Sequence, residues 1–261
     1  MMGILNITAD SFSDGARFLD REAAVVHGLA LLAAGADIVD AGGESTRPGA
    51  DPVPAGEERD RAVPVISELV RLRPDALVSV DTAKAEVAAA ALASGARIVN
   101  DVTAGRDPRM FETVCAHGAG IVLMHMRGEP RTMQRDTAYA DVVAEVHEFL
   151  AARASAAVAA GIPHGRILLD PGIGFGKDVG GNLRLLSALP DLAALGHAVV
   201  VGSSRKAFIG TLAGAEVGER LAGTLASLAD TVGLRRVVVR VHDVAPAVQF
   251  LTVLSALRGV A

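Results

Sequence analysis

Residues 34–40 read Ala34-Gly35-Ala36-Asp37-Ile38-Val39-Asp40, and residues 94–100 read Ser94-Gly95-Ala96-Arg97-Ile98-Val99-Asn100. Each stretch leaves an alanine-rich segment, turns at a glycine, and runs on as a few apolar residues that close on a polar one. Glycine just past a helix takes the left-handed conformation without strain, so each stretch reads as a helix stop followed by a strand. Looser versions of the joint recur: Gly35, Gly95, Gly118 and Gly161 follow the segments Arg21–Ala34, Lys84–Ser94, Arg109–His117 and Asp141–Ala160.

Working outward, eight short apolar runs alternate with such segments. They begin at Gly3, Asp37, Leu77, Arg97, Ile121, Ile167, Val199 and Val237. Runs that are apolar throughout and alternate with helices belong to a parallel sheet covered by helices. Eight units in 261 residues fit a single-domain (β/α)8 TIM barrel of the α/β class spanning residues 1–261. A doubly wound sheet is disfavoured, because Leu5-Asn6-Ile7-Thr8-Ala9-Asp10 after the first run carries no G-x-G-x-x-G fingerprint. In a barrel the strand C-termini form the active face, and nearly every run here ends in polar residues.

The composition sets the outer bounds. It is 51% hydrophobic and 21% charged with a net charge of −5, which suits a globular chain and gives no general attraction for nucleic acid. The apolar runs are too short to span a bilayer. Cys115 is the sole cysteine, so no intrachain disulfide forms and a C-x-x-C zinc site is excluded. Cys115 itself reads as a buried structural thiol. These features lead to the expectation of a cytoplasmic protein without membrane or nucleic-acid partners. Residues 7–20, 41–56 and 126–140 read as long, mobile loops at the active face, with a plain surface connection as the alternative.

The polar residues sort into two sets. Ser203-Ser204-Arg205-Lys206 follows the seventh run, where two adjacent cations at a helix start suggest an anion that offsets their clash with the macrodipole. Arg240 and His242 lie two apart and project to the same side. Asp81, Asn100 and Asp170, with Asp101 beside Asn100, close apolar runs and suit a heterocycle that offers several N–H donors. Met124 and Phe175 could supply an apolar wall. Structural alternatives stand beside each: Ser203 or Ser204 and Asp81-Thr82 as helix caps, Asp170-Pro171-Gly172 as a turn, and His242-Asp243 as the cap of the last helix. His27, His117, His147, His164 and His197 show no metal-ligand spacing, whereas His125 ends the fifth run and could line the mouth.

Asn6-Ile7-Thr8-Ala9-Asp10-Ser11-Phe12, Gly43-Glu44-Ser45-Thr46-Arg47-Pro48-Gly49, Val80-Asp81-Thr82, Val99-Asn100-Asp101-Val102, Leu169-Asp170-Pro171-Gly172, Gly202-Ser203-Ser204-Arg205-Lys206 and Arg240-Val241-His242-Asp243-Val244 resemble the dihydropteroate synthase family, in family order. The resemblance implies a (β/α)8 fold and a transferase step of folate biosynthesis. In that step 4-aminobenzoate displaces diphosphate from 7,8-dihydropterin-6-ylmethyl diphosphate to give 7,8-dihydropteroate. By resemblance, Asp81, Asn100, Met124, Asp170, Phe175 and Lys206 hold the pterin. Thr46, Arg47, Arg240 and His242 meet the diphosphate, with Asp81, Lys206, Arg240 and His242 as the catalytic set. Ser204, Arg47 and Pro48 meet the aminobenzoate, Asn6 binds Mg2+, and Thr8, Asp10, Ser11 and Phe12 form a lid. The family implies a homodimer and a target of sulfonamides.

The chain departs from the family pattern in three places. Ala9 stands where the family usually has proline, which loosens the first loop. The chain starts almost at its first strand, so either its start is trimmed or that end of the barrel is covered another way. Arg235-Arg236 replaces smaller residues and reads as a solvated joint. Other functions remain open at this level: a pterin-binding domain that methylates a corrinoid partner, a catalytically silent pterin binder, or a Schiff-base aldolase using Lys206.

Overall fold

The two quoted joints are built as helix stops, with Gly35 at φ +101 and Gly95 at φ +107, a conformation that a side chain would strain. Each leads directly into a strand. The structure, a computed structural model, describes residues 1–7 and 17–260; Thr8, Ala9, Asp10, Ser11 and Phe12 lie outside the described residues.

The strands are β1 (Met2–Asn6), β2 (Ile38–Gly42), β3 (Leu77–Asp81), β4 (Ile98–Asp101), β5 (Gly120–Met124), β6 (Ile167–Asp170), β7 (Ala198–Val201) and β8 (Val237–Val241). All pair in parallel and in sequence order to close a barrel. The closing seam is short, joining Met2 to Arg240 and Gly3 to Val241. Elsewhere the register sets Asp81 beside Asn100 and Met124 beside Asp170.

Outside the barrel run α1 (Arg17–Ala33), α2 (Ala55–Leu72), α3 (Ala85–Ala93), α4 (Met110–Ala116) and α5 (Val142–Ala159). Two helices cover each of the next two units: α6 (Val179–Ser187) with α7 (Leu189–Ala193), and α8 (Ala207–Ala213) with α9 (Leu221–Ser227). Helix α10 (Val244–Arg258) closes the chain. Local chemistry fixes several starts. Asp141 accepts from the backbone N–H groups of Val143 and Ala144 to cap α5, and Asp178 accepts from Gly181 to cap α6.

Because helices cover the sheet, the strands are buried on both faces, and Val39, Val78, Val99, Ile121, Leu169 and Val201 join helix residues such as Ile66, Leu69 and Leu150 in one core. Helices α1 and α2 approach closely at Gly28, where a Cβ would sit 2.9 Å from the Leu69 methyls.

The second and third loops carry more structure than their composition suggests. Strand β2 runs to Gly42 and α2 starts at Ala55, which leaves 43–54 as the irregular part of the second loop. Within 126–140 lies a turn of 3-10 helix, Met133–Arg135, and Met133 is buried. Met126 and Met133 pack with Val102, Met124 and Phe175 into a second apolar cluster at the barrel mouth. Methionines at positions 126 and 133 form that cluster without any helical or strand period, so the sequence pattern missed it.

Candidate functional site

Strand ends bring the predicted polar residues to one pocket. Thr46, Asp81, Asn100, Met124, Asp170, Phe175, Lys206 and Arg240 line it together with Val102, Ile173 and Gly202. Asp81, Asn100 and Asp170 are buried there. Lys206 Nζ lies 3.9 Å from the centroid of the Phe175 ring, a cation–π contact that fixes both side chains.

Beneath the pocket sits a carboxylate that the sequence reading did not assign. Asp40 is 1% exposed, and its Oδ2 accepts from Asn100 Nδ2 at 2.9 Å and from Arg240 Nε at 2.6 Å. Arg240 Nη2 donates to Asp81 Oδ2 at 2.7 Å. Arg240 therefore stands between two carboxylates at the base of the pocket, well inside the rim. The signal for Asp40 was in the opening comparison: Asp40 and Asn100 fill the last position of the two matching stretches, and the fold bonds them to each other. Asp40 Oδ1 and Asp81 Oδ1 are buried without a hydrogen-bond partner among the described residues. Unpartnered buried carboxylate oxygens are costly, which makes Asp81 ready to accept from an incoming N–H.

Burial dominates the electrostatics. It pushes Asp81 up to about 7 against the pull of Arg240, and raises Asp170 despite the bond its Oδ1 accepts from the Gly172 N–H at 2.6 Å. Burial and the neighbouring Arg240 bring Lys206 down to about 8 against Asp170 and Asp81. For Arg240 burial works against the charge, but Asp40 and Asp81 outweigh it and hold the guanidinium above its ordinary range. His242 is pulled down to about 4, mainly by burial, and is neutral at pH 7. Ser204 Oγ lies 2.9 Å from His242 Nδ1 and accepts from the His242 backbone N–H at 3.2 Å. With Nδ1 as acceptor of the serine proton, Nε2–H is left as the imidazole donor.

The structural alternatives resolve differently at each place. At the start of α3 the Ala85 N–H donates to Asp107 and the Lys84 N–H to Thr82 Oγ1 at 3.2 Å, so Thr82 supports the helix start while Asp81 is left to the pocket. Neither Ser203 nor Ser204 caps α8, whose N-cap residue is Lys206. Asp170 and Gly172 do form a tight turn, and Asp170 still lines the pocket. Asp243 precedes α10 but makes no side-chain cap bond, because its carboxylate takes Arg205 Nε at 2.9 Å and Nη2 at 2.6 Å. That pair corrects the reading of Arg205 and Lys206 as twin anion ligands: only Lys206 reaches the pocket. Asp101 turns to its own loop, bonding Thr103 and Gly105.

At the rim, Thr46 is half-buried, whereas Arg47 and Pro48 are exposed. Asn6 is exposed at the end of β1. Among the described residues no three His, Cys, Asp or Glu side chains gather to hold a metal. A lone carboxamide oxygen such as that of Asn6 fits Mg2+, an ion that takes most of its ligands from phosphate oxygens and water.

His125 does not line the mouth. It is buried against Phe149 and Tyr139 with its Nδ1 3.0 Å from Lys177 Nζ, a buried lysine that the sequence reading passed over. His164 and His197 stack at 3.8 Å ahead of β6 and β7, away from the site. Cys115 is half-buried and packs under Gly161, and Arg235 and Arg236 are exposed. Among the described residues no helix is long and apolar enough to cross a membrane.

The family described as pterin binding enzyme matches residues 2–242 of this chain. The dihydropteroate synthase of Mycobacterium leprae is 46% identical over 98% of this chain and 92% of its own length. A probable bifunctional folylpolyglutamate synthase/dihydropteroate synthase of Haloferax volcanii is 45% identical over 99% of this chain, which spans only 30% of that longer protein. Among solved structures, Xanthomonas albilineans dihydropteroate synthase with 4-aminobenzoic acid superposes with a TM-score of 0.92 at 48% identity, covering 100% of this chain and 93% of that one. With its barrel, its pocket and these relatives taken together, the chain belongs to the pterin binding enzyme family, in its dihydropteroate synthase branch.

Proposed function

We propose that this chain joins 7,8-dihydropterin-6-ylmethyl diphosphate to 4-aminobenzoate, releasing diphosphate and forming 7,8-dihydropteroate, as a transferase of folate biosynthesis. The observation that carries the reading is a pocket lined together by Asp81, Asp170, Asn100 and Lys206, in which Asp81 Oδ1 has no hydrogen-bond partner among the described residues. A 2-amino-4-oxo ring presents N–H donors to the carboxylates and a carbonyl to the ammonium, while Asn100, oriented by the bond from its Nδ2 to Asp40, offers its carboxamide oxygen as a further acceptor. Met124 and Phe175 bound the flat faces of the ring.

The substitution proceeds dissociatively. The bond between the methylene carbon and the diphosphate oxygen breaks with its electron pair leaving on oxygen. The dihydropterin ring delocalises the resulting cation, the arylamine lone pair then closes the C–N bond, and the ammonium so formed gives up its proton. Asp81 and Asp170 stabilise the cation by charge, and Arg240 and the His242 Nε2–H face the leaving oxygens with Thr46 and Arg47. Excluding water protects the cation from hydrolysis, and Thr8, Asp10, Ser11 and Phe12 are proposed for that lid. Mg2+, held by Asn6 and the diphosphate, would neutralise charge on the leaving group. The exposed Arg47 and Pro48, with Ser204, receive the aminobenzoate carboxylate and ring.

Two further proposals accompany this reading. A homodimer is supported by Val253 and Leu257, exposed at 54% and 79% on α10, and sedimentation at micromolar concentration tests it. A cytoplasmic location is supported by the single free thiol. The deciding assay measures diphosphate release from the pterin diphosphate with and without 4-aminobenzoate and Mg2+. Release coupled to dihydropteroate formation is expected, and pterin binding without release would overturn the reading.

A further inference from the structure

Lys177 is 3% exposed, and among the described residues no carboxylate pairs with its amine, which burial brings down to about 7. Its Nζ donates to the carbonyl oxygens of Phe175 at 2.9 Å, Gly172 at 3.0 Å and His125 at 3.2 Å, and lies 3.0 Å from His125 Nδ1. An ammonium has three protons, so four acceptors in this shell leave none of them idle. The imidazole can act as an acceptor because burial and the nearby cations hold His125 near 3, far below the pH of assay. The lysine thus ties the loop after β6 to the end of β5 from below.

The tie reaches the pocket through one residue. Gly172 gives its carbonyl to Lys177 and its N–H to Asp170 Oδ1. With φ +68, and with a Cβ there falling 1.9 Å from the His125 oxygen, the position admits glycine only. The lysine and the Phe175 N–H together hold the Gly172 carbonyl, the Gly172 Cα links that peptide to the preceding one, whose N–H holds one Asp170 oxygen, and the other oxygen is turned toward Gly202. The same ammonium holds the Phe175 carbonyl, whose residue carries the ring against which Lys206 rests. Two pterin-facing groups, on either side of the four residues 171–174, are set by one buried lysine that makes no hydrogen bond to Asp170 itself.

We propose that Lys177 is a positioning residue for the pterin half of the site, ordering Asp170 and Phe175 through the Gly172 and Phe175 carbonyls and thereby setting affinity for the pterin ring and not for the arylamine. The proposal deepens the functional reading above and rests on it for the identity of the ring.

The test compares Lys177→Met, which keeps the length and removes the donors, with Lys177→Gln, which keeps one donor group. Affinity for 6-hydroxymethyl-7,8-dihydropterin is measured by calorimetry, and KM for 4-aminobenzoate is measured at saturating pterin diphosphate. Pterin affinity is expected to fall about tenfold or more in Lys177→Met and less in Lys177→Gln, with KM for the arylamine within about threefold of the parent. Equal loss toward both ligands, or unchanged pterin affinity, overturns it. If neither variant folds, the lysine serves the barrel and the proposal falls as well. The parent protein is assayed alongside: failure of the parent to release diphosphate would count against the functional reading, while the pterin titrations would still judge Lys177.

Discussion

Arg240 shows how a single side chain acquires its role from depth. Two carboxylates hold it at the base of the pocket, so its charge is fixed in place before any anion arrives, and little reorganisation is needed when charge develops on a leaving group. Arg240→Ala is expected to lower turnover at least about tenfold, an effect of ~1.4 kcal/mol or more on the barrier. Asp40 acts through that guanidinium, so Asp40→Asn combined with Arg240→Ala should cost no more than Arg240→Ala alone; additive losses in kcat would show that Asp40 has a separate task. Lys206 gives a pH signature. Its folded value is lowered to about 8, so the ammonium is present below that pH and lost as pH rises through it. KM for the pterin diphosphate should climb above about pH 8 in the parent and stay flat with pH in Lys206→Met, whose KM is high throughout. A climb in both would assign the titration to another group.

At the scale of the element, the turn between β7 and α8 explains why adjacent residues with like charge part company. Arg205 adopts φ +57, which swings its side chain away from Lys206 and onto Asp243, joining this turn to the start of α10. Sequence spacing carries no information on that backbone angle, and for this reason the Ser-Arg-Lys segment suggested two anion ligands where one reaches the pocket. Arg205→Ala should reduce stability by about 1 kcal/mol, as befits a half-exposed bidentate pair, and leave KM for the pterin diphosphate within about twofold. Denaturant unfolding and steady-state kinetics check both parts, and a tenfold rise in KM would restore Arg205 to the anion site. The loop after β6 was opaque for a related reason. Nothing in Gly-Phe-Gly-Lys says that its lysine turns inward, since a lysine in a glycine-rich loop is ordinarily solvated. By contrast, the strands were legible almost to the residue, because a parallel sheet buried on both faces admits only apolar runs and punctuates them with polar ends.

For the whole molecule, the barrel separates stability from chemistry. Leu69 lies in the layer between α1 and α2, where Gly28 offers no side chain to fill a void. Leu69→Ala is therefore expected to cost ~2–5 kcal/mol of unfolding free energy with both KM values unchanged at low temperature, read by thermal denaturation beside kinetics. A change in either KM would mean that the helical layer is coupled to the pocket. The eightfold architecture could be inferred from glycine stops and apolar runs. The inner layer of the site could be inferred only in part, because Asp40 is recognised by what it touches across the barrel and not by its neighbours in the chain. That contact has a consequence for biosynthesis. A nascent protein halted before residue 237 already owns Asp40 and Asp81 but lacks the cation they share. Two neighbouring carboxylates without a counterion can be buried only at a cost, in desolvation or in taking up a proton. Closure of the ring and neutralisation of its floor are then a single event, and a truncated product that lacks Arg240 is penalised as a fold as well as lacking an essential part of the site.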